Sequence, residues 1–331
     1  MNAGADIATT TVTMVDALNL ALRDSMTEDE NVVVFGEDVG VLGGVFRVTS
    51  GLTETFGKDR CFDMPIAEAG IMGVAIGMTA LGLRPVVEMQ FDAFGYPAME
   101  QMFSHLAKLR NRTEGRWPVP IVVRVPYGGG IGAVEHHSDS SEAYFAQTPG
   151  LKVYTPATVG DAYTLLREAI AQDDPVIFFE PKRLYWEKAE LPVPEAAEAV
   201  PGRAVIRREG EDATLITYGP SLSVCLAAAK AAAAEGYDVG VIDLRSVVPF
   251  DEGTAADALA RTGRGIVVHE SAGYCGVGAE ITARLTELCF DILEAPIQRV
   301  TGRDIPYPPP HLEHHHLPSV SRILDALADI L

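Results

Sequence analysis

The chain has 331 residues, 47% of them hydrophobic and 22% charged, which is the composition of a packed globular protein of about two domains. Acidic residues outnumber basic ones by 46 to 26, and a net charge of −20 repels phosphate backbones, so we expect no nucleic-acid binding. The longest apolar run, between Glu68 and Arg84, is too short and too rich in glycine to cross a bilayer, so we expect no membrane role.

The cysteines and the N-terminal residues indicate the compartment. The four cysteines form no CxxC pair and are too few for a disulfide framework. Residues 1–10 have neither the basic region nor the apolar core of a signal peptide. We therefore expect reduced thiols and a cytoplasmic protein.

In the first half of the chain, helical patterns alternate with short apolar runs. The spacing of apolar residues predicts helices at 13–26, 69–83, 96–110 and 160–172, and apolar runs predict strands at 31–35, 84–90, 120–125, 152–155 and 176–180. Almost wholly apolar strands that alternate with helices indicate a parallel sheet covered on both faces.

A Pro-, Ala- and Glu-rich segment at 191–202 has no periodicity and is typical of a linker. The pattern then restarts, with predicted strands at 213–218, 238–243 and 265–269 and helices at 221–236, 251–262 and 278–289. We therefore expect two α/β domains, at 13–190 and 203–331, each a mainly parallel sheet flanked by helices.

Local motifs alone give little functional information. The chain has no Walker A loop and no GxSxG, and its glycine clusters at 128–132 and 273–278 lack the GxGxxG spacing. The histidines of 311–316 favour a surface segment over a metal site. Glu68 opens the glycine-rich helix, where the helix dipole favours a carboxylate for purely structural reasons. These patterns indicate an α/β protein with a buried ligand site and nothing more specific.

Several longer segments resemble a known family. Residues 63–102, which contain MPIAEAGIMG, resemble the pyrimidine-binding domain of thiamine diphosphate enzymes. The segments EHHSDSSEAYF and DDPVIFFEPKRLYW resemble the beta subunit of 2-oxo acid dehydrogenase complexes, and VIDLRSVVPFDEGT and GRGIVVHESAGYCGVGAEI resemble its transketolase-like C-terminal domain. From about Thr13 to the C-terminus, the chain resembles the beta subunit of the decarboxylating first component of such a complex.

The resemblance implies roles for five residues. Glu68 would hydrogen-bond the aminopyrimidine ring nitrogen, because a carboxyl group in a dry pocket has a raised pKa and can share a proton. Phe94 would stack on the pyrimidine face, and Gln90 would line the same pocket. His137, in the H-S-x-S motif, would lie near the substrate carboxylate or the lipoyl group. Glu37 would contact the cofactor or the partner subunit, or would simply be a carboxylate at a strand end.

The chain lacks the Gly-Asp-Gly motif with which the family holds diphosphate and magnesium. The resemblance therefore implies an alpha subunit that binds both, an α2β2 assembly, and acyl transfer to the lipoyl-bearing acyltransferase core of the complex. The small-residue face at Gly70, Gly73, Gly77 and Gly82 suits either a subunit contact or a contact within the domain. We expect the isolated chain to self-associate.

Some relatives bind structural potassium in the beta subunit, largely through backbone carbonyls. The residues that match those ligands are Val119, Ile121, Val122, Ala169, Gln172 and Asp174.

Substrate choice depends on weaker similarities. The segments GGVFRVTSGL, EHHSDSSEAYF and EPKRLYW favour a branched-chain 2-oxo acid over pyruvate. One methylene in an apolar pocket changes binding by only about 1–3 kcal/mol, so overlapping substrates are expected. A split transketolase acting on sugar phosphates is disfavoured because only Arg124 lies near the expected site. A non-catalytic scaffold subunit is the remaining alternative.

Overall fold

The computed structural model describes residues 9–192 and 202–331, in which two mainly parallel sheets organise the chain. The larger sheet has seven strands and the smaller has five. A two-stranded antiparallel ribbon pairs Thr9–Thr13 (β1) with Lys188–Pro192 (β8). The predicted fold class, two α/β domains that each contain a mainly parallel sheet flanked by helices, is thus confirmed.

The larger sheet is parallel except at one edge. Its first six strands are Val32–Gly36 (β2), Cys61–Asp63 (β3), Arg84–Glu88 (β4), Val122–Tyr127 (β5), Lys152–Tyr154 (β6) and Val176–Pro181 (β7). The seventh, Ser246–Val248 (β12), gives the order β12-β6-β7-β5-β4-β2-β3 and is antiparallel to its neighbour.

Both faces of this sheet are buried. The helices are Met14–Glu28 (α1), Leu52–Phe56 (α2), Glu68–Thr79 (α3), Ala107–Arg112 (α4), Glu142–Ala146 (α5) and Val159–Ala171 (α6). Val33 and Phe35 pack in the same cluster as the buried face of α3, whereas Val32 and Val34 pack with α1 and α6. Successive strand residues point to opposite faces, which explains why these strands are almost wholly apolar.

The helix expected at 96–110 is not regular, and that expectation was wrong in detail. A 3₁₀ segment, Asp92–Ala98, is followed by a π-helical turn, Gln101–Leu106, and only then by α4. Pro97 has no N–H to donate to the preceding turn, so a continuous α-helix is interrupted there.

The smaller sheet has the order β14-β13-β10-β11-β9, with only β9 antiparallel. Its strands are Val205–Arg208 (β9), Ala213–Thr217 (β10), Val239–Asp243 (β11), Gly265–Ala272 (β13) and Gln298–Gly302 (β14). The helices in the second half of the chain are Leu222–Ala234 (α7), Glu252–Thr262 (α8), Val277–Cys289 (α9), Glu313–His316 (α10) and Val320–Ala328 (α11).

The two sheets share one apolar core. Ile216 and Ile242 of the smaller sheet belong to the same buried cluster as Val123 and Ile177 of the larger one. Strand β12 lies between β11 and β13 of the smaller sheet in sequence but pairs with β6 of the larger sheet. Of the linker expected at 191–202, the first two residues belong to β8, and residues 193–201 lie outside the described part.

Within the described ranges, no helix has the length and hydropathy needed to span a bilayer.

Candidate active site

The five predicted site residues follow the carboxyl ends of four neighbouring strands. Glu68 comes after β3, Glu37 after β2, Gln90 and Phe94 after β4, and His137 after β5. The register aligns these ends, because Gly36 pairs with both Asp63 and Glu88. In open α/β sheets, ligands bind at this edge.

Two carboxyl groups lie close together at this edge. Glu37 is buried, and among the described residues its Oε1 atom has no hydrogen-bond partner. Burial raises the pKa of Glu37, and the nearby charges of Glu68 and Asp38 raise it further. Glu68 is half-buried at the N-terminus of α3. A buried carboxyl oxygen without a partner is suited to hydrogen-bond a polar ring placed against it.

Gln90 is held beside this pair. Its Nε2 atom donates to Asp38 Oδ2 at 3.1 Å, and Asp38 has a φ of 58°. Gln90 therefore lines the same edge of the sheet, and its amide fixes the loop that carries Glu37.

An aromatic wall forms the other side of the site. The His137 ring lies 4.5 Å from Phe91 and 5.2 Å from Phe94 between centroids, and His136 lies 5.1 Å from Phe94. His137 Nδ1 is buried and has no partner within the described residues. The wall thus offers a half-buried apolar ring, Phe94, and one free imidazole nitrogen next to it. These features and the free oxygen of Glu37 fit a bound aminopyrimidine cofactor.

Sequence reasoning missed three residues behind this wall. Asp92 accepts hydrogen bonds from the backbone N–H and the hydroxyl of Ser141, the former at 2.8 Å. Lys182 follows β7 at the same sheet edge and is almost fully buried. The available signal was a charged residue directly after the apolar strand VIFFEP, at the edge where ligands bind.

Arg124 does not face a ligand. Its guanidinium is fully buried and donates to Glu180 Oε1 and Oε2 at 2.7 and 2.9 Å and to Glu88 Oε2 at 2.6 Å. Tyr185 completes the group through a 2.6 Å hydrogen bond to Glu180. The basic residue that the sequence offered for a sugar phosphate is therefore fully engaged in an internal ion-pair network.

Two of the residues expected to bind potassium, Gln172 and Asp174, contact basic side chains of the protein. Lys152 Nζ lies 2.9 Å from Asp174 Oδ2 and also donates to Gln172 Oε1, and Arg110 contacts the same aspartate. Burial alone would raise the pKa of Asp174, but the hydrogen bonds and charges of Lys152 and Arg110 lower it below its usual value.

Three backbone carbonyls of this set already accept hydrogen bonds. Arg84 donates to the Gln172 carbonyl at 2.6 Å, and the carbonyls of Val119 and Ile121 accept backbone N–H groups at 2.8 and 2.9 Å. An added cation would be repelled by the ammonium of Lys152. These contacts argue against an inorganic potassium ion here, and potassium binding at these residues stays a prediction from the resemblance.

Magnesium has no evident ligand set in residues 9–192 and 202–331, where no cluster of three or more His, Cys, Asp or Glu side chains could hold a metal. Of the four histidines of the 311–316 segment, His311, His314 and His315 are exposed, whereas His316 is buried against Tyr307.

One face of α3 consists of small residues and is open to solvent. Gly70, Gly73 and Gly77 are exposed, and a Cβ atom added at Gly73 or Gly77 would have no described atom within 4 Å. Ile66 and Leu81, at the two ends of the helix, are 84% and 79% exposed. Since Gly73 and Gly77 pack against no described part of the chain, these two glycines make no contact within the domain. Gly82, with a φ of 80°, instead serves the turn after the helix.

The two domains match two described families. The transketolase pyrimidine-binding domain matches residues 10–187, and the transketolase C-terminal domain matches residues 202–323. A solved split-gene transketolase, described as an inactive beta4 tetramer, superposes with a TM-score of 0.79 over 97% of this chain and 98% of that chain. Its sequence identity is 21%, so it supports the fold alone. Fold and domains together define a transketolase-related, thiamine-diphosphate-dependent protein.

Individual relatives narrow this class. The beta subunit of 3-methyl-2-oxobutanoate dehydrogenase from Mycobacterium tuberculosis is 51% identical over 98% of this chain and 93% of its own length. The pyruvate dehydrogenase E1 beta subunit of Leifsonia xyli is 48% identical over 95% and 93%, and the 2-oxoisovalerate dehydrogenase beta subunit of Bacillus subtilis is 42% identical over 96% and 97%. The chain belongs to the family of 2-oxo acid dehydrogenase E1 beta subunits, which have an alpha partner.

Proposed function

We propose that this chain, together with an alpha subunit, oxidatively decarboxylates a branched-chain 2-oxo acid and transfers the acyl group to a lipoyl domain. The observation that supports it best is the alignment of Glu68, Glu37, Phe94 and His137 at one sheet edge. The 51% identity to a 3-methyl-2-oxobutanoate dehydrogenase subunit favours the branched-chain substrate, and pyruvate is the alternative because a pyruvate dehydrogenase subunit is 48% identical.

Thiamine diphosphate, when bound, supplies a carbon nucleophile and an electron sink. In this proposal the carboxyl group of Glu68 hydrogen-bonds the pyrimidine ring nitrogen. Glu37 is suited to share a proton beside it, because burial and the charges of Glu68 and Asp38 raise its pKa. Phe94 stacks against the ring, and Gln90 orients the loop of Glu37. His137, with its free Nδ1, orients the 2-oxo acid and moves a proton during acyl transfer.

The alpha subunit is proposed to dock on the exposed glycine face of α3. This face begins at Glu68, and the exposed side chains of Ile66 and Leu81 extend it as an apolar patch. Docking there would close the site against water and bring in the diphosphate and Mg²⁺ ligands that this sequence lacks. We further propose an α2β2 assembly and a cytoplasmic location, with the acyltransferase core bound through the C-terminal domain.

The first test is substrate-dependent reduction of an artificial electron acceptor by the chain co-expressed with its alpha subunit, with thiamine diphosphate and Mg²⁺. We expect activity only with both chains, and a drop of about 100-fold or more in Glu68→Gln. Glu54→Gln, an isosteric change at an exposed residue of α2, serves as the control and should leave the rate unchanged.

The same assay assigns the substrate. We expect 3-methyl-2-oxobutanoate to exceed pyruvate in kcat/KM by about tenfold or more, the effect of one or two methylenes in an apolar pocket. A higher value for pyruvate would assign pyruvate, and equal values would mean that the site does not discriminate between the two acids. Full activity in Glu68→Gln would contradict the proposed site, and an inactive, cofactor-loaded assembly would favour the scaffold reading.

A further inference from the structure

Lys182 is a buried cation at the active-site edge that the proposed function leaves without a role. It follows β7, and only 2% of its surface is exposed. Among the described residues its Nζ atom has no hydrogen-bond partner. Burying an ammonium in this way is costly, so its charge must be balanced by what surrounds it.

Three carboxylates, none within 4.0 Å of Nζ, attract this ammonium, and one aromatic ring lies beside it. Asp92 begins the 3₁₀ segment Asp92–Ala98, Asp139 lies on the loop after His137, and Glu270 lies on β13. The Phe91 ring centroid is 5.8 Å from Nζ. Burial lowers the pKa of Lys182 and raises that of Asp92, and the attraction between the two opposes both shifts.

Asp92 and its neighbour Phe91 connect the 3₁₀ segment to the loop that carries His137 and Ser141. The Asp92 carboxylate accepts from the N–H and the hydroxyl of Ser141, four residues after His137. Its neighbour Phe91 contacts the His137 ring at 4.5 Å. The carboxylate of Glu142 repels that of Asp92. An ionised carboxylate can accept both bonds, whereas a protonated one would have an O–H to satisfy in the same buried space.

We propose that Lys182 is a positioning residue for His137: its ammonium lies beside the Phe91 ring and attracts Asp92, and its charge keeps the loop 137–141 docked against these two residues. The charge acts through Asp92, which holds Ser141, and through Phe91, which holds the imidazole ring. The catalytic consequence rests on the proposed function, whereas the docking of the loop does not.

The activity test uses Lys182→Met in the assembled enzyme. Without the ammonium, the pKa of Asp92 rises further, so the acid limb of the kcat/KM profile should move up by about one pH unit. The rate should fall about tenfold at pH 6.5 and recover to within about threefold at pH 9. Lys182→Arg should restore the limb, and Lys188→Met, which removes an exposed lysine of β8, should leave the profile unchanged.

A second readout needs no activity. Hydrogen exchange of the Ser141 amide, relative to the wild type, should be about fivefold faster in Lys182→Met at pH 6.5 and equal at pH 8.5. In an Asp92→Asn background, Lys182→Met should shift neither the exchange nor the acid limb.

The outcomes separate the two proposals. An assembled wild type without turnover would refute the proposed function, and the exchange of Ser141 would then decide the role of Lys182 alone. A uniform loss of activity at every pH, with unchanged exchange of Ser141, would make Lys182 a purely structural residue and overturn the inference.

Discussion

Replacing Arg124 by methionine should destabilise the protein by about 4 kcal/mol at neutral pH. The guanidinium makes three hydrogen bonds to the buried carboxylates of Glu88 and Glu180, at 2.6–2.9 Å. Each such bond to a charged group contributes about 1.5–3 kcal/mol. Removing one partner of a buried ion pair typically costs about 3–5 kcal/mol. Here the loss of stability is limited, because the carboxylates can take up protons and Glu180 keeps its hydrogen bond from Tyr185.

The effect depends on pH in a defined direction. Burial raises the pKa of Glu88, the charge of Arg124 lowers it, and the charge of Glu180 raises it. Without Arg124 the folded-state pKa of Glu88 must rise. A carboxyl group whose pKa is higher in the folded state than in the unfolded state stabilises the folded state when it is protonated. This stabilisation is complete below the unfolded-state pKa of about 4.3 and is lost as the pH rises through the folded-state pKa. The variant should therefore lose less stability at pH 5 than at pH 8.

The assay is thermal and denaturant unfolding of the chain at fixed protein concentration. We expect the melting temperature to fall by about 8–16 °C, at about 2–4 °C per kcal/mol for a domain of this size. Arg124→Met/Glu88→Gln/Glu180→Gln removes both orphaned charges and should recover part of the loss. A loss below about 1 kcal/mol, or an equal loss at pH 5 and pH 8, would refute the reasoning.

Two further predictions concern the partner and the cation. Gly77→Leu adds a side chain where the described residues leave open space, and leucine favours a helix over glycine by about 1 kcal/mol. The isolated chain should therefore not lose stability. Light scattering should show that the variant no longer assembles with the alpha subunit. Gly160→Leu on α6, equally open, should still assemble. Because Lys152 already forms an ion pair with Asp174, replacing NaCl by KCl at equal ionic strength should change the melting temperature of this chain by less than about 1 °C. A clear rise in the melting temperature would mean that the site binds potassium.

Sequence patterns predicted the layers of the fold because they act over short distances. Apolar runs such as VVVF and VIFF place side chains alternately on two faces, and both faces of β2 and β7 are buried. A helix start such as that of α1 is equally local: Thr13 and Asp16 form a capping box within one turn. The irregular segment at 92–112 shows the limit of this reasoning, since Pro97 interrupts a pattern that otherwise favours a helix.

The amino-acid sequence by itself determined the alternating α/β pattern, the family and the order of the motifs that contain Glu68, Phe94 and His137. Only the tertiary structure decided that Arg124 is neutralised inside the sheet, 36 and 56 residues from its partners. It likewise buried Lys182 beside the Phe91 ring and paired Lys152 with Asp174. The physical reason is that such pairings depend on strand order and register across the sheet, which no local periodicity records.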